Sequence, residues 1–520
     1  MKTLNINFIK PQLVQIVTLI ILISCFSQSL FAQTFRYINP VFDEVDTLKE
    51  VEYARAQWLN NPISLLSEYN IHEGENITEE RPLLMDIFMP HSDTLKKRPA
   101  IIFMHSGAFL IGSRLNDDMV AMCDSFARKG YVTATIDYRL GMGATFNILT
   151  LTVSEINGYR AAYRGMQDSR AAIRFLKHNA ATYGIDTTKI YITGSSAGSI
   201  LALYNIYLDK NEINEFAYST PSLGNIDAVG VQGYGSKASA VASLWGAVES
   251  PEIIGNDSTP VFLVHGTEDN IVPYTKGVPL AALIPDEYKS YVHLNLPETY
   301  GGFCIDTALI NRNINHETYF VEGQKHEFYG VETGEFKEDG PNAYWDTIQW
   351  KTTSFFFEQF KPEAEFNYQS NGLELTFFDQ TEESTYTYWD FDDGATSEEK
   401  TATHNYAISG NYDVKLTTCN QNMACDTLTK SVTAGTPDYA NNISQSTVSI
   451  YPNPANYLLN IKGINEPFNA KLFDLTGRMK IIKTEISNNT IDISELQNGV
   501  YFVELSNNNL KITLKVVKTD

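Results

Sequence analysis

The sequence predicts an α/β domain with a doubly wound, mostly parallel sheet, followed by two small all-β sandwich domains. From about residue 34 to 361, short apolar runs alternate with helical patterns, as expected when crossover helices cover both faces of a parallel sheet. From residue 362 onwards, polar and aromatic residues alternate and turns are frequent, which is typical of strands in small sandwiches. The length of 520 residues is sufficient for two or three such domains.

Residues 1–32 have the pattern of a signal peptide. Lys2 lies in a positively charged start, Leu13–Phe26 is apolar, and the sequence Leu-Phe-Ala ending at Ala32 fits a cleavage site. A membrane anchor is disfavoured because the apolar run is short and polar residues follow it. Cys25 ends a loose lipobox, which leaves lipoprotein processing as the alternative to simple export. No later segment is long and apolar enough to span a bilayer, so the mature chain is predicted to have no transmembrane span.

The formal net charge of −23 argues against nucleic acid or anionic membrane partners, because both require clustered Lys and Arg. No Cys and His spacing resembles a zinc site, and neither a metal nor another cofactor is predicted. Cys419 and Cys425 are close in sequence and are predicted to form a local disulfide, which an exported protein can keep. For Cys123 and Cys304 the sequence leaves two alternatives open, buried free thiols or a second bridge.

The strands and helices of the first region follow from hydrophobic pattern. Apolar residues at helical spacing predict a helix over Tyr159–Tyr183 that ends at Gly184, and a second helix over Asn342–Phe360 that ends before Pro362. The short apolar runs, which are predicted parallel strands, are Ala100–Met104, Tyr131–Ile136, Lys189–Thr193, Val241–Trp245 and Val261–His265.

The segment Gly194–Gly198 reads Gly-Ser-Ser-Ala-Gly and connects a predicted strand to a predicted helix. A sharp turn in this context holds its central residue in a strained conformation, with the hydroxyl exposed at the carboxyl end of the strand. Small neighbours are needed because Cβ atoms at the two glycines would collide with the adjoining strand and helix. Ser196 is therefore the candidate nucleophile, and the alternative is an ordinary turn rich in Gly and Ser.

A serine nucleophile needs a histidine base that a carboxylate orients, and in this arrangement the chain order is Ser, acid, His. The last of the apolar runs leads into a loop that contains Glu268 and Asp269, and either carboxylate could serve on chemistry alone. Three histidines of the domain come later. His293 and His316 lie in or at the start of predicted strands, whereas His326 follows a strand in a loop and is the candidate base.

The loop after the first apolar run reads His-Ser-Gly-Ala-Phe and resembles the H-G-G-G-F oxyanion loop of lipases and esterases. The resemblance implies that the amides of Gly107 and Ala108 stabilise the oxyanion, together with the amide of Ala197, the residue after the nucleophile. Ser106 and Ala108 replace two glycines of the family pattern. His105 is interpreted as an orienting residue and not as a second base.

With these motifs, residues 64–360 resemble an α/β-hydrolase, most closely the secreted carboxylesterases. The stretch His-Gly-Thr-Glu-Asp resembles the H-G-x-x-D acid loop of that family and selects Asp269, and Gly-Gln-Lys-His resembles the loop that carries His326. Arg139 and Asp168 are interpreted as an ion pair of the scaffold. The resemblance implies a carboxylic ester hydrolase with a Ser-His-Asp triad that acts through an acyl-enzyme.

Two other functions are considered. A serine peptidase of the prolyl oligopeptidase type is disfavoured because residues 33–63 are too few for the propeller of that family. A non-catalytic surface adhesin with a relic hydrolase fold is disfavoured because the triad is complete. Residues 208–238 are predicted to form a partial cap. The substrate stays open among short lipids, acetyl or feruloyl esters of polysaccharides and synthetic esters, either as small molecules or carried on a polymer.

Residues 362–434 resemble the PKD family of immunoglobulin-like modules. The resemblance rests on Trp389–Gly394, His404–Tyr406 and Gly410–Val414. The aspartates of the first of these segments are interpreted as part of a strand and tight turn and not as a calcium site.

Residues 435–447 are a predicted linker, and residues 448–520 resemble the C-terminal sorting domain of the type IX secretion system in Bacteroidetes. The resemblance rests on a Tyr-Pro-Asn-Pro entry at Tyr451, a hairpin with Gly477 and the strand Gly499–Val503. It implies that the type IX secretion machinery is a partner and that the protein is released or attached to the cell surface. A carbohydrate-binding β-sandwich is the alternative.

Overall fold

A computed structural model describes residues 36–59, 78–142, 144–147, 150–153, 155–209, 223–435, 448–475, 477–507 and 511–520. The predicted signal peptide, most of the linker and part of the predicted cap lie outside these ranges. The described residues form two compact units. The first contains the chain up to Glu365 together with residues 381–387 and 417–427, and the second contains the remainder.

The first unit is built from strands and helices in alternation. Its strands are β1 (Val45–Leu59), β2 (Thr78–Pro90), β3 (Arg98–Met104), β4 (Val132–Ile136), β5 (Ala144–Asn147), β6 (Thr150–Val153), β7 (Ile185–Ser195), β8 (Val241–Leu244), β9 (Val261–Gly266), β10 (Lys276–Gly277), β11 (Val292–Leu294), β12 (Thr299–Tyr300), β13 (His316–Val321), β14 (Val331–Glu332) and β15 (Glu335–Phe336). Its helices are α1 (Asp117–Arg128), α2 (Glu155–His178), α3 (Ala180–Tyr183), α4 (Ala197–Tyr207), α5 (Gly302–Asn311) and α6 (Ala343–Glu358), with short 3-10 helices at Pro251–Ile254, Ala281–Leu283 and Asp286–Tyr288.

The main sheet has eight strands in the order β1-β2-β4-β3-β7-β8-β9-β13. Strands β4, β3, β7, β8, β9 and β13 pair in parallel, and β1-β2 and β2-β4 pair antiparallel. The predicted α/β class with a mostly parallel sheet is therefore confirmed. All parallel strands end at the same edge, so the loops after β3, β7, β9 and β13 can meet there.

Both faces of this sheet are buried. Ile102 and Met104 of β3 face a core to which α2 and α4 contribute, while Ile101 and Phe103 face a second core with α1 and α6. This alternation is the period-2 pattern of a strand covered on both sides, and it explains why β3 reads as a continuous apolar run in the sequence.

The predicted helices are present with shifted bounds. The helix expected over residues 159–183 is α2 followed by α3, and Gly184 ends it in a left-handed conformation with φ 65°. The helix expected over residues 342–360 is α6, where the Asn342 side chain accepts a hydrogen bond from the Tyr344 amide and caps the N-terminus.

Strands β1 and β2 were missed by the sequence analysis. Most of the first half of β1 is exposed, and its Lys and Glu residues interrupt any apolar run. An edge strand that buries only part of one face has no strong hydrophobic pattern, so only its pairing with β2 defines it.

After residue 365 the described part of the chain contains strands and no helix, as predicted. They are β16 (Phe366–Asn371), β17 (Glu374–Asp379), β18 (Tyr386–Asp390), β19 (Thr396–Ser397), β20 (Thr401–Asn405), β21 (Gly410–Cys419), β22 (Cys425–Ala434), β23 (Ser449–Tyr451), β24 (Leu458–Lys462), β25 (Phe468–Asp474), β26 (Met479–Ile486), β27 (Thr490–Asp492), β28 (Gly499–Ser506) and β29 (Lys511–Lys518). Residues 366–434 form the sheets β16-β17-β20 and β19-β18-β21-β22 with Trp389 in the core. Residues 449–518 form the sheets β23-β24-β27 and β26-β25-β28-β29 over a separate core.

A disulfide joins Cys419 and Cys425, as predicted, and Cys123 and Cys304 are free thiols. The loop between the bridged cysteines folds with the first unit. Asn422 is 2% exposed there, and its amide donates hydrogen bonds to the Lys97 carbonyl and to the Asp186 carboxylate, at 2.9 and 3.0 Å.

Among the described residues, no helix is long and apolar enough to cross a bilayer.

Candidate active site

The predicted nucleophile lies in a tight turn between β7 and α4. Ser196 has φ 53° and ψ −115°, a conformation that a residue with a side chain rarely adopts. A hydrogen bond from its amide to the Leu244 carbonyl, at 2.9 Å, supports the turn. A Cβ atom at Gly198 would collide with the Met104 carbonyl oxygen, and one at Gly194 would lie 2.5 Å from the Gly198 carbonyl carbon. The turn therefore requires both glycines, as the pattern predicts.

The predicted acid and base are in direct contact. The loop after β9 carries Asp269 and the loop after β13 carries His326, and His326 Nδ1 lies 2.7 Å from Asp269 Oδ2. The amides of Ile271 and Val272 donate to Asp269 Oδ1 at 2.8 and 3.0 Å. The exposed Glu268 lies next to this pair, so the structure resolves which of the two loop carboxylates faces the histidine.

A second histidine, which the sequence analysis did not consider as part of the site, contacts the same carboxylate. His265 Nε2 lies 3.2 Å from Asp269 Oδ2 and 2.9 Å from the Val272 carbonyl oxygen. The Gly302 amide donates to His265 Nδ1, so the ring proton is on Nε2 and points at these two oxygens. The signal that could have found it is the His-Gly pair at the end of the strand before the acid loop.

These contacts determine the charge of the acid. Burial alone would raise the pKa of Asp269, but hydrogen bonds from His265 and His326 outweigh burial and hold the pKa well below its usual range. Asp269 is thus an ionised carboxylate at neutral pH. An ionised acid that accepts from His326 Nδ1 leaves the proton on that nitrogen, and Nε2 is then free to act as a base.

Ser196 lies at the same sheet edge as this pair, but within the ranges covered by the structure no hydrogen bond joins Ser196 Oγ to His326 Nε2. Such bonds are often long in an unliganded hydrolase and shorten when substrate binds. The ring of Trp245 lies edge-on to that of His326, with centroids 6.2 Å apart. Trp245 comes directly after β8, between the strands that carry the nucleophile and the acid.

The loop after β3 carries the predicted oxyanion donors. Gly107, Ala108 and Phe109 have φ values of 114°, 54° and 60°, so three consecutive residues occupy the left-handed side of conformational space. Hydrogen bonds from the amides of Leu110 and Ile111 to the Gly107 carbonyl close the loop, at 2.9 and 3.1 Å. Gly107 cannot be replaced here, since an added Cβ would collide with the Ile111 carbonyl oxygen.

The amides of Gly107, Ala108 and Ala197 donate no hydrogen bond to any described residue. Ala108 and Ala197 line the same pocket as Ser196, and Ala197 is the first residue of α4, where helix amides have no intrahelical partner. Unpaired amides beside a nucleophile are able to bind a developing oxyanion.

His105 supports the oxyanion loop from beneath. Its Nδ1 lies 2.6 Å from the Ser106 carbonyl oxygen, its ring stacks on Tyr138 with centroids 4.2 Å apart, and Tyr138 Oη donates to the His105 carbonyl. Burial lowers the pKa of His105 to about 4, so the ring is neutral near pH 7. These contacts agree with an orienting residue that takes no part in proton transfer.

Arg139 and Asp168 form the ion pair inferred for the scaffold. Arg139 Nη2 lies 2.8 Å from Asp168 Oδ1, the Arg139 amide donates to Asp168 Oδ2 at 2.7 Å, and both side chains are buried. The pair fastens the chain after β4 to α2 and leaves Asp168 no free oxygen for chemistry.

A pocket with an empty volume of about 580 Å³, partly open to solvent, leads to Ser196. None of its lining side chains carries a charge near neutral pH. They are Ala108, Phe109, Met142, Gly158, Tyr159, Ala162, Ser196, Ala197, Ile200, Tyr204, Val272, Pro279, Leu280, Leu296, Pro297 and Thr299. The partial cap predicted over residues 208–238 lies in part outside the described ranges, at residues 210–222. The part of the pocket wall formed by residues 272–299 was not predicted from the sequence.

Three family models match parts of the chain. The BD-FAE model matches residues 85–237, the PKD domain model residues 363–434 and the secretion system C-terminal sorting domain model residues 449–519. The resemblances to the PKD family and to the sorting domain are thus confirmed. The sorting domain indicates export, with secretion or attachment to the cell surface, and implies the secretion machinery as a partner.

Curated relatives align with parts of the α/β region. Gut esterase 1 of Caenorhabditis elegans is 30% identical over 135 residues, which are 26% of this chain and 22% of the relative. Carboxylesterase 3B of Mus musculus is 32% identical over 138 residues, again 26% of this chain and 22% of the relative. The chain thus spans less than a quarter of the length of these relatives. Among solved structures, propionate-bound esterase 2 of Thermogutta terrifontis has a TM-score of 0.36 at 19% identity, over 54% of this chain and 90% of that chain.

Proposed function

We propose that the protein is an exported carboxylic ester hydrolase that uses Ser196, His326 and Asp269 as a catalytic triad. One observation carries the proposal: His326 Nδ1 contacts the ionised Asp269 at 2.7 Å, at the sheet edge where Ser196 occupies a strained turn. The matches to esterases and to the BD-FAE model support the reaction class.

In this mechanism Ser196 Oγ attacks the ester carbonyl carbon while His326 Nε2 takes the hydroxyl proton. Asp269 keeps the proton on His326 Nδ1 and stabilises the imidazolium that forms. The amides of Gly107, Ala108 and Ala197 bind the oxyanion of the tetrahedral intermediate. The imidazolium then protonates the departing alcohol and leaves an acyl-enzyme on Ser196. Water, deprotonated by His326, attacks the acyl carbonyl, and collapse of the second intermediate returns the serine and releases the acid.

The pocket favours an uncharged and largely apolar group next to the reacting carbonyl. A charged group would lose its hydration there without gaining a partner of opposite sign, because no lining side chain is charged. The pocket can hold only one side of the ester, and the group on the other side of the ester is not constrained in this way. A small alcohol or a hydroxyl of a polysaccharide is therefore compatible with the proposal.

Ser196→Ala tests the triad. We expect the variant to lose hydrolysis of p-nitrophenyl butyrate and labelling by a fluorophosphonate probe, while its thermal unfolding stays close to that of the wild type. Ser290→Ala, at an exposed serine, is the matched control and should keep both activities. Retention of hydrolysis in Ser196→Ala would refute the assignment. A wild-type protein that neither cleaves esters nor reacts with the probe would refute the function.

A further inference from the structure

We propose that Glu327 is a positioning residue, which holds the loop of the base against the turn of the nucleophile through a buried hydrogen bond with Ser195. The inference rests on the proposed function. It assigns a role to two residues that the triad mechanism does not use, one on each side of the reacting pair.

Glu327 binds to two different segments. Ser195 Oγ donates to Glu327 Oε1 at 2.9 Å, and the Thr333 amide donates to Glu327 Oε2 at 2.6 Å. Glu327 is 4% exposed and Ser195 is 0% exposed. Both side-chain oxygens of Glu327 thus accept a hydrogen bond inside the protein, where a buried polar group that loses its partner is costly.

The position of this hydrogen bond in the chain is informative. Ser195 directly precedes the nucleophile and Glu327 directly follows the base. The hydrogen bond thus joins the sequence neighbours of the two residues that must react with each other. No direct hydrogen bond joins Ser196 to His326 among the residues that the structure covers. The contact of Ser195 with Glu327 therefore connects the two loops where the reacting side chains do not.

The backbone of Glu327 has φ 45°, in the left-handed region that residues with side chains rarely occupy. Strained residues of this kind persist only where the surrounding structure holds them. The left-handed conformation of Glu327 lets consecutive side chains reach different partners, since His326 contacts Asp269 and Glu327 contacts Ser195. Loss of the Ser195 contact would release one of the interactions that hold the loop.

Asp118 is a second buried carboxyl group that interacts electrostatically with Glu327. Asp118 is buried nearby and accepts from Tyr329 Oη at 2.6 Å. Burial raises the pKa of Asp118 to about 8, and the charge of Glu327 acts in the same direction against the opposing Tyr329 hydrogen bond. Asp118 is therefore mainly neutral near pH 7, so the two buried acidic side chains do not carry like charges next to each other.

Proton transfer from Ser196 to His326 requires the two atoms at hydrogen-bond distance, and a displacement of 1 Å can reduce the rate about 100-fold. A loosened base loop should thus lower kcat and leave substrate binding unchanged, because neither Ser195 nor Glu327 lines the pocket. A residue that only stabilised the fold would instead lower the yield or the melting temperature at unchanged kcat per active site.

The test uses the full chain with Ser195→Ala, Glu327→Gln and the double variant, and the exposed Glu322→Gln as control. We expect kcat for p-nitrophenyl butyrate, per fluorophosphonate-titrated site, to fall about 10- to 100-fold in each single variant, with KM within about twofold. The double variant should be no slower than the slower single variant, since both remove the same contact. A kcat within about twofold of the control, or additive losses, would overturn the inference.

Two outcomes need a second readout. If Glu327→Gln does not fold, Ser195→Ala decides alone, because it removes only a hydroxyl group. If the wild type neither cleaves esters nor reacts with the probe, the proposed function fails, and amide hydrogen exchange over residues 322–333 then tests the positioning role. Faster exchange in Ser195→Ala than in the control supports it, and unchanged exchange overturns it.

Discussion

Replacement of Asp269 by Asn should abolish most of the activity, because it favours the tautomer of His326 that cannot act as a base. Asp269 Oδ1 accepts hydrogen bonds from two backbone amides, so the side-chain oxygen of the Asn will take the position of Oδ1. The amide nitrogen then replaces Oδ2 and faces His326 Nδ1 at 2.7 Å and His265 Nε2 at 3.2 Å. Two donors cannot form a hydrogen bond with each other, so the ring proton of His326 moves from Nδ1 to Nε2. A protonated Nε2 can no longer accept the hydroxyl proton of Ser196.

The size of the expected loss in kcat follows from this loss of the base. The corresponding Asp to Asn change in a serine protease triad lowers kcat about 10⁴-fold with little change in geometry, which corresponds to about 5.5 kcal/mol of transition-state stabilisation. We expect a loss of similar size here. His265 Nε2 also carries a proton that points at the new amide nitrogen, so His265 cannot accept a hydrogen bond from that nitrogen.

The assay is steady-state hydrolysis of p-nitrophenyl butyrate near neutral pH, with thermal unfolding to verify the fold. Glu268→Gln is the matched control because it removes a neighbouring carboxylate that is exposed, and it should retain activity. A kcat for Asp269→Asn within about tenfold of the wild type would refute the reasoning. So would an equal loss in Glu268→Gln, since the acid would then be misassigned.

Two further predictions concern stability. Burial raises the pKa of Asp118 to about 8, against about 4 in an unfolded chain. The folded state therefore binds a proton that the unfolded state lacks between these values, and wild-type stability falls as the pH rises through that window. Asp118→Asn, which keeps an acceptor for Tyr329, should gain stability over the wild type increasingly from about pH 4 to pH 8 in urea unfolding, and a constant difference would contradict this. Asn422→Ala should destabilise the first unit by about 1–3 kcal/mol because it removes the hydrogen bond to the buried Oδ2 of Asp186. The exposed Gln421→Ala is its control, and equal melting temperatures for the two variants would contradict the role of the buried loop.

The elements that the sequence predicted are those whose signal is local. Strand β3 is buried on both faces and thus apolar at every position from Ala100 to Met104, and α6 begins at a capping Asn342. The turn at Ser196 was predictable because its glycines are required by contacts within a few residues and with one neighbouring strand. Strand β1 was not predictable, because its polar residues acquire a strand conformation only through pairing with β2.

The sequence by itself determined the α/β class, the strained turn and the loops in which an acid and a base could follow it, because hydrophobic period and turn chemistry act over a few residues. Only the tertiary structure decided which side chains meet. His326 and Asp269 are 57 residues apart, and Ser195 and Glu327 are 132 apart. Contacts at such separations depend on which strands lie next to each other and how far each loop extends, and neither is encoded in a local pattern. For the same reason the second histidine on Asp269 and the buried Glu327 carboxylate became visible only once β7, β9 and β13 were placed in one sheet.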